Sequence, residues 1–401
     1  MNILVFTSLW PNAEQPGFGV FVKHATAAMS RLDGVNVRVV APVPHFPKKF
    51  QSQNFWPERW RRMARIPDCE MIAGIETFHP RHLVTPKIGM SFYGRWMASG
   101  AEALVRRLHA EQPIDLIDAH YVYPDGYAAA LLAERLNVPV VITARGTDIN
   151  LFSRMPLIRP LIRRALMRAD GVVAVSDALK RRMVELGVEA GKIAVIRNGV
   201  DREVFYPSDR GDQAETRRKL GLDAESRIIV TVSALVPLKG IDRLIDAMKL
   251  MQGVNTKLYV IGEGPQRAAL ESRIARHGLA DRVFLIGSRP QSELADWYSA
   301  ADLFCLASHR EGCPNVVIEA MACGSPVVAA DVGGVGELIS KSDYGRVISS
   351  PAAEKFASEM KAALGESWNR DEIAAHGRAR SWENVAEEAL NHHLRFAKSR
   401  V

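Results

Sequence analysis

The chain has 401 residues, of which 47% are hydrophobic and 24% charged, a balance typical of a soluble globular protein long enough for two domains. No apolar stretch reaches the roughly 18 residues that span a bilayer, and the sequence shows no low-complexity tract or repeat. Residues 1–200 hold 26 Lys and Arg against 17 Asp and Glu, whereas residues 201–401 hold 26 against 28, so the net charge of +7 arises in the first half. This asymmetry predicts an anionic partner for that half: a membrane surface, a phosphate-bearing acceptor or nucleic acid.

Strand and helix patterns alternate through the first half. The segment NILVFT (2–7) reads as a first strand and not as a signal peptide, because it lacks a basic n-region and a small-residue cleavage site. A helix is predicted from Val20 to Leu32, and Ser176 and Asp177 are candidate caps for a later helix. The other predicted strands are VNVRVVAP, DLIDAH, VPVVITAR, GVVAVS and KIAVIRNG. Strands that alternate with helices indicate a parallel, doubly wound α/β sheet.

The same pattern restarts after a polar segment, residues 206–226. The predicted strands are RIIVTVSAL, TKLYVIG, RVFLIG, LFCLAS and SPVVAAD, and a helix is predicted from Gly240 to Met251. The sequence therefore predicts two Rossmann-like domains, residues 1–200 and 201–380. The last stretch, residues 381–401, is predicted to be a helix that returns to pack on the first domain.

A basic and aromatic segment, residues 48–68, interrupts the first half. Its aromatic and Met residues alternate with six Lys and Arg: Phe50, Phe55, Trp56, Trp60 and Met63 lie among Lys48, Lys49, Arg59, Arg61, Arg62 and Arg65. Such an element can lie in a lipid interface. The alternative is an excursion that covers the core and leaves its arginines in solvent.

The four cysteines contain no C-x-x-C pair: Cys69, Cys305, Cys313 and Cys323. This spacing argues against a zinc site or a disulfide framework and favours a reducing cytosol.

The segment SHREGCPNVVIEAMACGSPVVAAD (308–331) carries the strongest functional signal. Seven residues separate Glu311 from Glu319, and a proline and a glycine bracket the helix expected to follow Glu311. Backbone N–H groups around Asn315 and Val316 would lie at the N-terminus of that helix, which is a ready site for a phosphate. Glu319 is then one turn further on, where it can accept hydrogen bonds from a ribose. Glu311 lies in the loop, where it can bind a sugar.

This segment resembles the signature of the family-4 glycosyltransferases, which are retaining enzymes with the two-domain GT-B fold. The resemblance extends to VPLKG (236–240), VIGEGPQRAAL (260–270), FLIGSRPQSELADWYSAADLFCLAS (284–308) and GGVGELI (333–339). It includes PGFGVFVKH (16–24), VIRNGVD (195–201) and SWENVA near the end, so it covers nearly the whole chain. The resemblance implies two Rossmann-like domains that face a cleft, the first for the acceptor and the second for a nucleotide diphosphate sugar. It also implies a role in bacterial exopolysaccharide or cell-envelope glycan synthesis.

The resemblance implies a donor-binding role for residues of the second domain. Lys239 would neutralise the diphosphate leaving group, Glu311 would hold hydroxyls of the donor sugar, and Glu319 would hold the ribose. Further donor contacts would come from Ser288 and Arg289, which frame the nucleobase, and from the backbone of Cys313, Asn315 and Val316. Alternatively, Lys239 and the glycine after it form an ordinary loop without a role in binding.

The resemblance assigns three positions in the first domain to the reaction. Gly17 and Gly19 would let the first loop approach the donor phosphates without a side chain in the way. His120 ends the predicted strand DLIDAH, at the edge where ligands bind in open α/β sheets, and the family places a histidine there that faces the reacting sugar. A strand-end histidine can also be a packed or capping group.

Two positions depart from the family pattern. The family usually has an arginine a few residues before the phosphate lysine, and this sequence has Ala234 there. Many relatives have a histidine where the motif TARGTD (143–148) has Arg145. Arg145 could bind a phosphate of the acceptor, since a guanidinium donates in a bidentate manner, or it could pair with Asp148. We expect Arg145 and Asp148 to contribute to acceptor binding.

The predicted chemistry breaks a sugar–phosphate bond while positive charge grows on the sugar. Lys239 and a helix N-terminus would stabilise the departing diphosphate. The sequence contains no D-x-D motif, so no metal requirement and no cofactor beyond the nucleotide sugar are expected. The family's usual proposal is a displacement on one face of the sugar, in which the departing phosphate helps to deprotonate the acceptor.

Other functions remain open at this point. The same fold serves sugar-nucleotide epimerases, and a nucleotide-sugar-binding protein without catalysis would agree with Ala234. Nucleic-acid binding lacks a recognition motif. We expect a glycan or lipid-linked acceptor, and a cytoplasmic enzyme that is peripheral on an anionic inner membrane.

Overall fold

The computed structural model describes residues 1–45, 57–85, 89–207, 213–350 and 352–397. Contacts divide the chain into two compact units. Unit 1 comprises Met1–Asn198 and Trp382–Val401, and unit 2 comprises Gly199–Ser381.

Unit 1 is built on an eight-stranded sheet. The strands of unit 1, including two outside this sheet, are in chain order β1 (Asn2–Phe6), β2 (Asn36–Val40), β3 (Val43–Pro44), β4 (Cys69–Ile72), β5 (Ile75–Phe78), β6 (Arg81–His82), β7 (Leu116–His120), β8 (Val140–Ala144), β9 (Gly171–Ala174) and β10 (Ile193–Val195). The sheet order is β10-β9-β8-β7-β1-β2-β5-β4, and β3 pairs separately with β6. All neighbours in the large sheet are parallel except β4 and β5. The order reverses between β1 and β7, and ligands of such sheets bind at that point, beyond the carboxyl ends of the strands.

The helices of unit 1 that precede unit 2 are α1 (Val20–Ser30), α2 (Glu58–Arg65), α3 (Tyr93–Glu111), α4 (Tyr127–Leu136), α5 (Thr147–Asn150), α6 (Arg159–Arg168) and α7 (Asp177–Glu185). The predicted cap of α7 is confirmed, since Ser176 Oγ accepts a hydrogen bond from Leu179 N at 3.2 Å. The predicted helix from Val20 ends two residues early, at Ser30. The antiparallel pair β4–β5 was not predicted: each strand has only four residues, and the edge strand β4 has no buried residue.

Unit 2 is built on a six-stranded parallel sheet. Its strands are β11 (Arg227–Val232), β12 (Thr256–Ile261), β13 (Val283–Gly287), β14 (Leu303–Leu306), β15 (Val327–Ala330) and β16 (Gly345–Ile348), in the order β13-β12-β11-β14-β15-β16. The helices are α8 (Gln213–Lys219), α9 (Ile241–Leu250), α10 (Arg267–His277), α11 (Gln291–Ala300), α12 (Asn315–Ala322), α13 (Val335–Leu338), α14 (Ala353–Leu364) and α15 (Arg370–Arg378). The strand order reverses between β11 and β14. The central strands are buried along their length, as expected where helices cover both faces of a parallel sheet.

The last helix, α16 (Trp382–Ala397), belongs to unit 1. It packs on α1, and Val385 and Ala386 lie in the same apolar core as β1 and β7. The Trp382 ring stacks on His24 with centroids 5.9 Å apart. The prediction that the C-terminal helix returns to the first half is therefore confirmed.

Candidate active site

Lys239 lies in the loop after β11, at the point in unit 2 where the strand order reverses. The loop closes in a 3₁₀ turn, Pro237–Lys239, and Gly240 follows with φ +62°. A Cβ on Gly240 would lie 2.1 Å from the carbonyl oxygen of Ala307, so only glycine lets this loop meet the segment after β14. The His309 N–H donates to Leu238 O at 2.8 Å and joins the two segments.

Glu311 lies in the loop after β14 and contacts Lys239. The Lys239 Nζ and Glu311 Oε1 atoms are 2.6 Å apart, and the side chains are 24% and 12% exposed. The sequence predicted that both residues bind the donor, and the structure brings them into direct contact. A lysine and a carboxylate thus stand together at the edge of the sheet where a ligand is expected.

Gly333 supports the Glu311 loop from the side of β15. It has φ +58°, and a Cβ there would lie 2.2 Å from Glu311 O. The neighbouring Gly334 N–H donates to Gly312 O at 2.9 Å. The GGVGELI motif therefore acts locally by holding the Glu311 backbone in place.

Helix α12 begins immediately after this loop. Pro314 is its N-cap, and Asn315 and Val316 form its first turn beside the buried Cys313. The sequence predicted this helix start, and an N-terminus carries partial positive charge that attracts anions. The helix ends at Ala322, as the glycine after it predicted.

Glu319 lies one turn into α12 and accepts a hydrogen bond from the Tyr298 hydroxyl at 3.0 Å. Burial raises the pKa of Glu319 to about 7, against the lowering effect of that hydrogen bond. Sequence reasoning missed Tyr298, since it lies on α11 and nothing in the local motif points to it.

Ser288 and Arg289 follow β13, which β12 separates from β11 in the sheet. Both residues are exposed, and Arg289 Nη1 donates to Ser288 O at 3.1 Å. Ala234, at the place of the family's usual arginine, is also exposed. The loop therefore has room for a longer side chain at residue 234.

In unit 1 the first loop carries the two predicted glycines. Gly19 has φ +64°, and a Cβ there would lie 2.3 Å from Leu9 O, so the loop needs glycine at this position. Gly17 is exposed, and a Cβ there would meet no atom within 4 Å. Packing within unit 1 thus explains Gly19 and leaves Gly17 unexplained.

His120 is the last residue of β7 and is only 5% exposed. Its Nδ1 lies 2.7 Å from Arg145 Nη2, and its Nε2 lies 3.4 Å from Asp118 Oδ2. Because a guanidinium only donates, Nδ1 must accept and the ring proton resides on Nε2. Burial lowers the pKa of His120, and the charge of Arg145 adds to this effect, so the ring is neutral near pH 7.

Asp118 and His393 complete a buried cluster around His120 that the sequence analysis did not identify. The His393 Nε2 atom lies 3.5 Å from Asp118 Oδ1, so the last helix, α16, supplies one member. The cluster borders a cavity of about 40 Å³, which Arg145 and Asn198 also line. Asp118 was detectable, because residues two apart on a strand share a face, whereas no local pattern links His393 to β7.

Arg145 and Asp148, the predicted acceptor contacts, have different surroundings. The Arg145 guanidinium lies 5.3 Å from the Phe21 ring centroid, and Nη1 donates to Asn198 Oδ1 at 3.2 Å. The Asp148 side chain is fully buried, and burial raises its pKa although backbone N–H groups lower it. It accepts from Val122 N at 2.8 Å and Gly146 N at 2.7 Å, so any contact of Asp148 with an acceptor would replace bonds that hold these loops.

Residues 48–56 of the basic aromatic segment lie outside the described residues, with Lys48, Lys49, Phe50, Phe55 and Trp56 among them. The rest of the segment forms α2, where arginines pair with acidic side chains. Arg61 and Arg65 lie 2.5 and 2.9 Å from Glu58, and Arg65 also lies 2.8 Å from Glu14.

Within the described residues, no helix combines the length and apolar character needed to cross a bilayer. Over the same residues, no three His, Cys, Asp or Glu side chains are grouped so that they could hold a metal ion. All four cysteines are free thiols, and all but Cys69 are buried.

Comparison with known proteins identifies the class. Residues 17–204 match the family Glycosyltransferase Family 4, and residues 212–380 match Glycosyl transferases group 1. The putative teichuronic acid biosynthesis glycosyltransferase TuaC of Bacillus subtilis (strain 168) is 30% identical over 347 residues, which are 86% of this chain and 84% of the relative. A D-inositol 3-phosphate glycosyltransferase of Jonesia denitrificans is 31% identical over 318 residues, 72% of this chain and 74% of the relative.

The protein belongs to the family-4 glycosyltransferases, and it is an enzyme that uses a nucleotide-sugar donor. Solved structures show the same fold. Sucrose-phosphate synthase from Thermosynechococcus elongatus superposes with a TM-score of 0.80 at 22% identity over 99% of both chains. Anabaena HepE in complex with UDP gives 0.74 at 21% identity over 98% of this chain and 99% of that one. The predicted GT-B fold is thus confirmed.

Proposed function

We propose that unit 2 binds a nucleotide diphosphate sugar and that unit 1 binds the acceptor to which the sugar is transferred with retention of configuration. The observation that carries the proposal is the contact between Lys239 and Glu311, 2.6 Å apart at the reversal of strand order. A ligand with a diphosphate and a sugar needs a cation beside the diphosphate and a hydrogen-bond acceptor for the hydroxyl groups of the sugar. These two side chains provide both.

Lys239 and the first turn of α12 stabilise the leaving group. Electrostatic groups held in place before the reaction stabilise the charge that develops on the diphosphate. Backbone groups from Cys313 to Val316, with Asn315 between them, contact sugar and phosphate, and Glu319 accepts hydrogen bonds from the ribose. Since Glu319 already accepts from Tyr298, the tyrosine orients the carboxylate for the ribose.

Further donor contacts come from exposed loops. Ser288 and Arg289 frame the nucleobase, and the loop of Gly17 and Gly19 approaches the phosphates. Gly17 is exposed, and neither its backbone conformation nor its packing requires a glycine. A glycine there leaves room for a donor phosphate to approach the backbone. Donor binding gives a reason for a glycine where packing gives none.

The reaction breaks the bond between the anomeric carbon and the diphosphate oxygen and forms a bond from the acceptor oxygen on the same face. The acceptor proton passes to the departing phosphate oxygen, so atoms and charge balance without a metal or a covalent enzyme intermediate. His120 faces the reacting sugar as a neutral ring, so the imidazole itself adds no positive charge near the forming cation. Asp118 and Arg145 keep the proton on its Nε2.

We propose a lipid-linked saccharide as acceptor, with Arg145 near its phosphate. Three observations support this class. Residues 1–200 carry nine more basic than acidic residues, TuaC is named for teichuronic acid biosynthesis, and the Jonesia relative is named for D-inositol 3-phosphate, which carries a phosphate. Such an acceptor places the enzyme on the cytoplasmic face of a bacterial inner membrane, as a peripheral protein.

A donor screen by thermal unfolding tests the donor site. UDP-, GDP- and ADP-sugars are compared, UDP-sugars first because HepE is known with UDP-glucose. A donor at 100 times its Kd should stabilise the protein by about 2.7 kcal/mol. Lys239→Ala should abolish that shift, whereas Lys257→Ala, which removes a lysine paired with Asp223 at 2.9 Å, should keep it.

The donor found in this screen is then incubated with and without lipid-linked saccharides. Transfer to an acceptor with the anomeric configuration kept is the expected result. No stabilisation by any donor, or an epimerised sugar formed without acceptor, would overturn the proposal.

A further inference from the structure

A basic and apolar surface of unit 1 has no role in the proposed chemistry. The sequence from residue 149 to residue 169 contains five arginines and no aspartate or glutamate. It forms the loop after α5 and then helix α6. We define the α6 surface by eight exposed residues of this segment: Leu151, Arg154, Met155, Leu157, Arg159, Arg163, Arg164 and Met167.

Of the twelve large hydrophobic side chains that are exposed among the described residues, four belong to the α6 surface. Leu157 is 75% exposed, Met167 46%, Met155 39% and Leu151 36%. The loop that carries Leu157 is nevertheless anchored, because Ile158 directly after it is only 2% exposed. A single exposed leucine would be ordinary, but several exposed apolar side chains in one segment are a feature of contact surfaces.

The arginines of the α6 surface differ from those of α2. Among the described residues, no carboxylate lies within 4 Å of Arg154, Arg159, Arg163 or Arg164. Arg168, at the end of the helix, is 2.6 Å from Glu134 and is left out of the surface for that reason. The four arginines therefore keep their charge available for an anionic partner, whereas Arg61 and Arg65 of α2 pair with Glu58.

We propose that the α6 surface binds an anionic lipid bilayer, with Arg159, Arg163 and Arg164 at the headgroups and Leu157 and Met155 in the boundary with the acyl chains. This inference builds on the lipid-linked acceptor proposed above. Basic residues attract the surface of anionic membranes, and apolar side chains add affinity by leaving water. The exposed side chains between the arginines are aliphatic, which favours lipid over nucleic acid, where exposed aromatic rings would stack on bases.

The α6 surface is a second candidate membrane contact beside the segment 48–65, of which residues 48–56 lie outside the described residues. The charges of α2 are partly neutralised within the protein, and a neutralised arginine adds little attraction. The α6 surface also combines charge with aliphatic side chains in one short stretch, so both contributions act on the same area of membrane.

Sedimentation of the full-length protein with vesicles of phosphatidylglycerol and phosphatidylcholine tests the contribution of the arginines to membrane binding. No donor is present, so the result does not depend on the donor site. Changing Arg159, Arg163 and Arg164 together to Gln should weaken binding on the order of 100-fold, since each basic residue contributes roughly fivefold. A control with equal loss of charge changes Lys249, Arg276 and Lys361 of unit 2 to Gln, which are exposed and likewise have no carboxylate partner among the described residues, and it should bind like the parent. At 1 M salt, where the screening length falls to about 3 Å, the difference should vanish.

The apolar part is tested at Leu157. Leu157→Ser should weaken vesicle binding by roughly fivefold to tenfold, and Leu250→Ser, which changes a leucine of 50% exposure in unit 2, should not. Insertion is measured directly with Leu157→Cys labelled by an environment-sensitive dye. A Cys69→Ser background is used, because Cys69 is the exposed native thiol. The dye emission should shift to the blue with anionic vesicles.

Three results would overturn the proposal. The first is that the Gln triple variant binds anionic vesicles as tightly as its unit 2 control. The second is that the dye at residue 157 shows no shift while the protein is bound. The third is that the parent protein does not bind vesicles but binds a nucleic-acid duplex or self-associates in ultracentrifugation, and that the triple substitution abolishes this binding or self-association. Transfer to a water-soluble acceptor analogue should be unchanged in all variants, which separates this inference from the donor site.

Discussion

Lys239→Ala removes the cation that lies 2.6 Å from Glu311 in a partly buried site. The diphosphate of a bound donor takes a comparable place beside the lysine, and a unit charge at about 4 Å in a partly buried setting is worth about 4 kcal/mol. Each 1.36 kcal/mol of lost transition-state stabilisation is tenfold in rate. We therefore expect kcat/KM to fall by about 10²–10³, as for other groups that stabilise a charge in the transition state.

The fold should survive this substitution. Glu311, 12% exposed, loses one partner, at a cost of about 1–3 kcal/mol. For a unit of about 180 residues this lowers the unfolding temperature by roughly 2–4 °C per kcal/mol. The assay is the initial rate of nucleoside diphosphate release with saturating acceptor, and thermal unfolding is recorded on the same samples. Lys257→Ala is the control, because Lys257 is as exposed as Lys239, at 25% against 24%, and also pairs with a carboxylate in the same unit.

Two outcomes would refute the reasoning. One is a Lys239→Ala enzyme within threefold of the parent kcat/KM, and the other is an equal loss in Lys257→Ala. The exposed position of Ala234 allows a rescue experiment. Ala234→Arg in the Lys239→Ala background should restore part of the activity, since a second cation can then reach the diphosphate.

Three further predictions test other parts of the site. Transfer should persist in excess EDTA, because Lys239 and α12 carry the diphosphate charge; complete loss of activity that Mn²⁺ or Mg²⁺ restores would contradict this. The pKa of Glu319 is about 7 in the folded protein against an ordinary 4.5, so the folded protein holds this proton more tightly than the unfolded chain. The free energy of unfolding therefore falls as pH rises from 4.5 to 7, where the folded protein has to give up the proton. Glu319→Gln should therefore gain ~1–3 kcal/mol relative to the parent between pH 5 and pH 8, and parallel unfolding profiles would argue against the raised pKa. Asp118→Asn should lower kcat by up to about 10² through a misplaced His120, while donor-induced stabilisation stays intact; an unchanged kcat would show that Asp118 has no positioning role.

Short sequence motifs predicted the parts of the site whose geometry is local. A glycine of φ +62° follows Lys239, a proline starts α12, and Glu319 follows Asn315 by one helical turn. Each relation spans a few residues and depends on backbone conformation, which residue type controls directly. The alternation of strands and helices fixed the parallel sheets for the same reason, since a crossover must connect parallel neighbours.

Contacts between distant segments could not be read from the sequence. His393 reaches Asp118 across 275 positions of chain, and Tyr298 reaches Glu319 from another helix. The alternation of aromatic and basic residues in residues 48–65 predicts a membrane contact there, and this stays a prediction. Composition does not show that Glu58 and Glu14 engage those arginines, or that Leu157 remains 75% exposed.

The sequence alone determined the fold class and the family and predicted the residues of the proposed donor site, because these depend on local periodicity and on motifs of fixed spacing. The tertiary structure decided which charges are neutralised, which ring nitrogen of His120 holds its proton, and which arginines face solvent. These properties depend on distances between groups far apart in the chain, and those distances exist only once the sheets and helices have packed.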